Sequence, residues 1–274
     1  MPRANSKKLT ASSAFKVLFI GDVIARIGQE TVKKVLPGLK KKYDIDFVIA
    51  NGEHLSERVG VNVEFVREMH AEGIDFFTTG NHVWRKKDFE EHIGKKDVPV
   101  IRPANYQKKV PGKGYQVVET KNGKILIINL LGREAINGEV DSPFDKIDEI
   151  LAHETGYDFS ILDFHAEMSS EKVAMGQYLD SRVSAVIGTH THVPTADERI
   201  LPGGTAYVSD AGMTGPINSI LGVKSEIIID LFKTGEPQRF ELAEGECVFN
   251  AVLLTLEKSG RAKTIKRVDK KIKG

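Results

Sequence analysis

The chain has a single cysteine in 274 residues, Cys247, which excludes an internal disulfide framework and any cysteine-built zinc site. It lacks a surplus of either charge. The 39 Lys+Arg against 38 Asp+Glu leave a formal net charge of +1, so nothing argues for a general nucleic-acid binder. No apolar run approaches the roughly 20 residues that a bilayer span needs. There is no internal repeat, no Gly-x-Gly-x-x-Gly fingerprint, no P-loop and no serine or cysteine nucleophile motif. What is present is 41% hydrophobic and 28% charged, the composition of a chain that buries a sizeable core. Residues 1–14 are polar and basic (Arg3, Lys7, Lys8) without an apolar signal region, so a disordered tail and a cytoplasmic protein are expected. One domain is expected over 15–268, followed by a basic, solvated C-terminal tail at 269–274.

The first half alternates strand and helix signals. Phe15-Lys16-Val17-Leu18-Phe19-Ile20 is an apolar, β-branched run that stops at Gly21-Asp22, which predicts a buried strand. Residues 29–43 have helical spacing, with Val32, Val35, Leu36 and Leu39 on one face and Pro37 as a point of bending or division. Phe47-Val48-Ile49-Ala50 predicts the next strand and ends at Asn51-Gly52-Glu53-His54. A helix around Phe65 and Met69 closes at Gly73, and Phe76-Phe77-Thr78-Thr79 hands over to Gly80-Asn81-His82. In the second half, strands at 115–119 and 125–131 flank the hairpin signal Asn122-Gly123. A helix at 144–153 precedes a strand at 159–162 that ends in Asp163-Phe164-His165. A helix at 171–179 precedes a strand at 184–187 that ends in Gly188-Thr189-His190-Thr191-His192. Further strands are expected at 206–208, 227–232 and 248–256, and the basic end 263–273 is expected to be solvated. The class is mixed α/β.

Five strand ends carry residues of metal-ligand type: Asp22; Glu53 with His54; Asn81 with His82; His165; and His190 with His192. One Asp or His at a strand end usually caps a helix or satisfies a turn. Five of the eight histidines in such turns point instead to one cleft where strand ends converge. At i and i+2 beyond a strand, His190 and His192 can splay toward two neighbouring sites. Carboxylate, carboxamide and imidazole donors without thiolate suit Fe, Mn, Zn or Co. Two cations about 3.5–4 Å apart would polarise a phosphoryl group and generate a hydroxide nucleophile near neutral pH. Other residues have plainer readings. His70 and His92 are expected in helices with His153 closing one, and Cys247 as a small core residue. Arg133 holds either a phosphate or a local salt bridge, and Trp84 either packs a helix or stacks on a base. The turn 210–216 either lines the cleft or forms an oligomer contact.

The motif set resembles the calcineurin-like metallophosphoesterases. Gly21-Asp22, Asn51-Gly52-Glu53, Gly80-Asn81-His82, His165 and Gly188-Thr189-His190-Thr191-His192 stand in that family's order. Phe19-Ile20-Gly21-Asp22-Val23, Arg102-Pro103-Ala104-Asn105, Asn129-Leu130-Leu131-Gly132-Arg133, Asp163-Phe164-His165-Ala166-Glu167 and 210–216 are similar to its YmdB-like bacterial phosphodiesterases. Ile24 fits that subgroup, which lacks the superfamily's Asp-x-His, whereas His54 stands where the subgroup has Asn. The resemblance implies a two-sheet metallophosphoesterase sandwich flanked by helices (αββα, four layers). It implies a phosphodiesterase with two metal ions, Fe first and Mn or Zn as alternatives, acting on small phosphodiesters, cyclic nucleotides and in particular 2′,3′-cyclic ones. It implies Asp22, Glu53 and His192 on one metal, with Glu53 bridging to a second held by Asn81, His165 and His190. His82 would be general acid or phosphoryl-oxygen partner, and His54 a further metal-ligand candidate. A homo-oligomer is compatible with the family. The alternative is a nucleotide-sensing or scaffolding protein of the same fold whose catalysis is weakened by His54.

Overall fold

In the first strand Val17 and Phe19 face one side and Leu18 and Ile20 the other, and all four are fully buried. A strand that is apolar on both faces needs a covering layer on each. The computed structural model describes residues 14–56, 59–107, 109–136 and 139–273. The tail expected at 1–14 lies, except for Ala14, outside the described residues. The chain begins β1 (Phe15–Ile20), β2 (Asp22–Val23), α1 (Ala25–Tyr43), β3 (Phe47–Asn51), α2 (Val63–Ala71), β4 (Phe76–Thr78) and α3 (Lys87–Glu90). It continues with β5 (Tyr115–Thr120), β6 (Gly123–Leu131), α4 (Pro143–His153), β7 (Phe159–His165), α5 (Ser169–Tyr178) and β8 (Ala185–Thr189). The last elements are β9 (Arg199–Ile200), β10 (Ala206–Val208), β11 (Met213–Pro216), α6 (Ser225–Thr234), β12 (Cys247–Leu256) and β13 (Ala262–Ile272).

Two mixed sheets result. One is seven-stranded, in the order β2-β11-β12-β1-β3-β4 with β13 also paired to β12; the other is six-stranded, β5-β6-β7-β8-β10-β9. Between them Phe15, Val17, Phe19 and Ile49 meet Ile127, Ile161 and Ile187, and the rings of Phe15 and Phe159 stack at 4.6 Å. Val32 and Leu36 of α1 and Val66 of α2 cover the outer face of the first sheet, against Leu18 and Ile20. Ile147 of α4 and Met175 of α5 cover the outer face of the second, against Leu126 and Leu162. The expected four-layer αββα sandwich is the observed architecture. β1, β3 and β4 are mutually parallel, as are β6, β7, β8 and β10. Their C-terminal ends meet at one end of the sandwich, where His165 after one sheet reaches Glu53 after the other.

Three local expectations are corrected and one, on Pro37, is narrowed. Residues 227–232 lie in α6, not in a strand. Of Ile227-Ile228-Ile229 only Ile228 is buried, Glu226 and Lys233 suit the helix dipole, and Gly235 caps the end in the left-handed region (φ +73°). The basic end 263–273, including the tail expected at 269–274, is strand β13 through Ile272, paired with β12 along its length. Ala262 and Val268 are buried, while Lys263, Lys266, Lys270 and Lys271 are exposed; lysines are a common device on an edge strand. Pro37 sits inside α1 without dividing it. His92 lies beyond α3 in a turn, with its Nδ1 2.8 Å from the Asp88 carbonyl. Among the described residues no helix is long and apolar enough to cross a membrane.

Candidate metal centre

The strand ends bring the eight candidate residues to the same end of the sandwich. Donor atoms of Asp22, His54 and His192 lie within 4.8 Å of one another, and so do those of Glu53, His165 and His190. The groups adjoin: His54 Nε2 is 3.8 Å from Glu53 Oε2, and the backbone N–H of His190 donates to Asp22 Oδ2 at 3.3 Å. Asn81 is in the turn after β4. Its neighbour His82 donates its backbone N–H to Glu53 Oε1 at 2.5 Å, and the His82 and His54 rings meet edge-on at 5.7 Å. His190 and His192 thus separate into the two groups, one each.

Donor and acceptor bookkeeping fixes which imidazole nitrogen is available. Thr189 Oγ1 donates to the Asp163 carboxylate at 2.7 Å, so at 2.8 Å it accepts from His165 Nδ1–H, leaving His165 Nε2 for the centre. That Nε2 sits 2.5 Å from Glu53 Oε2 and 3.1 Å from His190 Nδ1. His190 Nε2 is 3.0 Å from Glu167 Oε2, so its Nδ1 lone pair faces His165. His192 donates Nδ1–H to the Leu221 carbonyl at 3.2 Å and turns Nε2 toward Asp22 Oδ1, 3.7 Å away. Each of these three imidazoles is oriented by a partner on its outer nitrogen.

The turn that carries them is strained. His190 has φ +102° and His192 φ +63°, left-handed values that cost a non-glycine residue about 1–3 kcal/mol each. Asp210 holds the turn in place: its Oδ2 accepts from Thr191 N (3.0 Å) and Thr191 Oγ1 (2.8 Å), and its Oδ1 from Gly212 N. Asp210 in turn pairs with Lys172 Nζ at 2.7 Å, and both side chains are buried. Gly188 lies so close to the Ser209 carbonyl, and Gly21 to that of Gly212, that any side chain would collide. Asp210 and Gly212 thus brace the centre, while the rest of the expected turn 210–216 is not a turn but strand β11, paired with β2 and β12. Lys172→Met should cost about 3–5 kcal/mol of stability, because it leaves Asp210 buried and unpaired. Chemical denaturation checks this, and a loss under about 1 kcal/mol would contradict the bracing role.

Burial raises Asp22 to about 6. It lowers His54 to about 4 and His190 to about 3, so both are neutral donors at pH 7. Burial also opposes charge on Glu53 and His165, but their mutual attraction prevails. Glu53 is held well below the usual carboxylate range, and His165 is raised to about 9. Without a cation, then, a proton on His165 neutralises Glu53. Asp22 Oδ1 and Asn81 Oδ1 are buried oxygens with no hydrogen-bond partner among the described residues, each costing about 1–3 kcal/mol unless a cation satisfies it. Two adjoining oxygen–imidazole donor sets with unpaired buried oxygens fit metal ions. Thiolate-free sets of this kind suit Fe, Mn, Zn or Co.

Sequence reasoning assigned no role to Asp163, Glu167 or Lys172, and singled out Asp210 only as part of the turn 210–216. The only signal for the first two was their place in the Asp163-Phe164-His165-Ala166-Glu167 motif. Arg133 is exposed and lines a separate cavity with Glu134 and Glu171, its backbone N–H donating to Glu171 Oε1 at 2.9 Å. Trp84 packs against the outer core and meets Tyr106 edge-on at 6.0 Å. Cys247 is a buried strand residue.

Two mixed sheets flanked by helices, with a double imidazole–carboxylate cluster at their shared end, define the calcineurin-like metallophosphoesterase class. Within it, a sequence profile described as YmdB-like protein matches residues 18–268, and the chain belongs to that family. The chain is 45% identical over 258 residues to a 2′,3′-cyclic-nucleotide 2′-phosphodiesterase of Bacillus subtilis (strain 168), covering 92% of this chain and 96% of the relative. A crystal structure described as a novel phosphatase, from Mycoplasma pneumoniae, superposes with a TM-score of 0.90 at 34% identity, covering 95% of both chains. A hypothetical protein from Thermus thermophilus superposes with a TM-score of 0.88 at 40% identity, covering 94% of this chain and 99% of the other.

Proposed function

We propose that this chain is a metal-dependent phosphodiesterase that hydrolyses 2′,3′-cyclic nucleotides. The observation that carries the reading is the pair of adjoining donor groups at the wall of a cavity shared by His54 and His82. The 45% identical Bacillus subtilis relative, a 2′,3′-cyclic-nucleotide 2′-phosphodiesterase, supports the substrate. Asp22, His54 and His192 would hold one cation. Glu53, His165 and His190 would hold the second, with Asn81 as a further oxygen donor and Glu53 shared between them. Fe is favoured, with Mn and Zn as alternatives. When bound, the two cations polarise the phosphoryl group and acidify a water molecule.

In the hydrolysis, water oxygen bonds to phosphorus as one ribose P–O bond breaks, and a proton passes to the departing alkoxide, leaving a phosphomonoester and a free hydroxyl. Burial lowers the pKa of His82, so a neutral imidazole whose N–H donates to a phosphoryl or leaving oxygen fits better than a cationic acid. His54 brings a nitrogen donor into the Asp22 group, which favours an enzyme over a sensor with weakened catalysis.

Incubation with adenosine 2′,3′-cyclic phosphate after loading with Fe, Mn or Zn, followed by chromatography, tests the reading. A nucleoside monophosphate is expected, and no product with any of the three metals would overturn it. Metal binding should also depend on pH. It must displace the proton of His165, present up to about pH 9, and below about pH 6 that of Asp22 as well. Apparent affinity should therefore fall with acidity, by about tenfold per pH unit for each displaced proton. Dialysis at pH 5 should strip metal that is retained at pH 8; equal retention at both would contradict this.

A further inference from the structure

The cavity that borders the metal centre has a volume of about 770 Å³, within the range of about 300–1,000 Å³ typical of small-molecule sites. His54 and His82 line one side, and residues 238–242 line another, with Leu221 and Leu242 adding apolar surface. Segment 238–242 is tied down along its length. Gln238 Nε2 donates to Asp230 Oδ2 at 2.9 Å, Lys224 N to the Glu241 carbonyl at 2.9 Å, and Ala243 N to the Gly222 carbonyl at 3.0 Å. Leu242 forms a bridge with Val223. Between these ties the Phe240 side chain is left 47% exposed while lining the cavity. Its neighbour Arg239 makes no hydrogen bond or ion pair among the described residues.

A half-exposed ring on a segment tied down on either side of it, with no ring partner among the described residues, can serve as a stacking platform. An occupant that reaches the metal centre brings an anionic phosphate, and one that covers a phenyl face brings a flat aromatic group. We propose that Phe240 stacks on the nucleobase of the substrate, with Arg239 beside it as a cation for an electron-rich ring or its polar edge. This rests on the phosphodiesterase reading above and adds the residue that makes the enzyme prefer nucleotides to base-free cyclic phosphates. Every base has a stacking face, so the platform selects nucleotides as a class and discriminates weakly among bases.

The test compares wild type, Phe240→Leu and Phe240→Trp on adenosine 2′,3′-cyclic phosphate and on the base-free cyclic phosphate of propane-1,2-diol. Calorimetric titration of the metal-loaded proteins with adenosine 3′-monophosphate accompanies the kinetics. Leu keeps the apolar volume and removes the ring. It should raise KM for the nucleotide about tenfold with kcat retained, leave the base-free substrate unchanged, and weaken nucleotide binding in proportion. Trp should restore both values. Equal effects of Leu on both substrates, or no effect on either KM or binding of the nucleotide, would overturn the platform. If wild type turns over neither substrate, the phosphodiesterase reading fails on its own. The titration then decides Phe240: tighter binding to wild type and Trp than to Leu supports the platform, and equal binding overturns it.

Discussion

Glu53→Gln should lower turnover by about 10³-fold or more and reduce the metal content of the protein. The side chain keeps its shape, and its amide oxygen can still accept the His82 backbone N–H. What disappears is the one negative charge that faces His165 at 2.5 Å and His54 at 3.8 Å. Without it the centre has neutral imidazoles, the Asp22 carboxylate and the Asn81 carboxamide to bind and screen two cations. Asp22, raised to about 6, is the weaker carboxylate for that purpose as acidity increases. The metal-free protein should also lose stability, because the substitution takes away the counter-charge of the buried His165 imidazolium, which must then give up its proton. Thermal denaturation of the metal-free forms separates the two effects. Turnover within tenfold of wild type at unchanged metal content would remove Glu53 from the centre.

His82→Ala should behave differently. Its expected effect is a drop in kcat of about 10²–10³-fold with metal content unchanged and KM altered little. The link from residue 82 to Glu53 runs through the backbone N–H, which alanine retains. The ring lines the cavity and meets His54 only edge-on, so its removal subtracts a donor from the substrate side and no donor from either cation group. A fall in metal content parallel to that of Glu53→Gln would move His82 from substrate partner to ligand. Unchanged kcat would leave it without a role in the reaction.

The strands of the core were legible because they are buried on both faces. Runs such as Phe15 to Ile20 carry no polar face that would blur them, and each ends in polar donors, after a glycine in every case but that of His165. The same punctuation exposed Asp22, Glu53, His54, Asn81, His82, His165, His190 and His192 as residues that meet. Their division into two groups was only half legible. The splaying of His190 and His192 follows from their spacing, whereas His54 joins Asp22 because of how the turn after β3 folds back toward β2. α6 was misread because Ile227-Ile228-Ile229 has β-branched chemistry, and only the packing of one of the three against the body reveals a helix. β13 was misread because exposed lysines flank its few buried residues on both faces of an edge strand and hide Ala262 and Val268. Lys172 with Asp210, and Glu167 behind His190, act through contacts between segments far apart in sequence, and nothing in their local composition sets them apart. Phe240 belongs to the same group, since its exposure depends on ties made by residues on either side of it.

The central claim is that one chain holds two cations in adjoining oxygen–imidazole sets. Elemental analysis of the purified protein, after loading with Fe, Mn or Zn and removal of free metal, tests it most directly. About two ions per chain are expected, falling to about one when His192 is replaced by alanine, because the Glu53 group stays intact. One ion or none in the loaded wild type, or two in the His192 variant, would contradict the account.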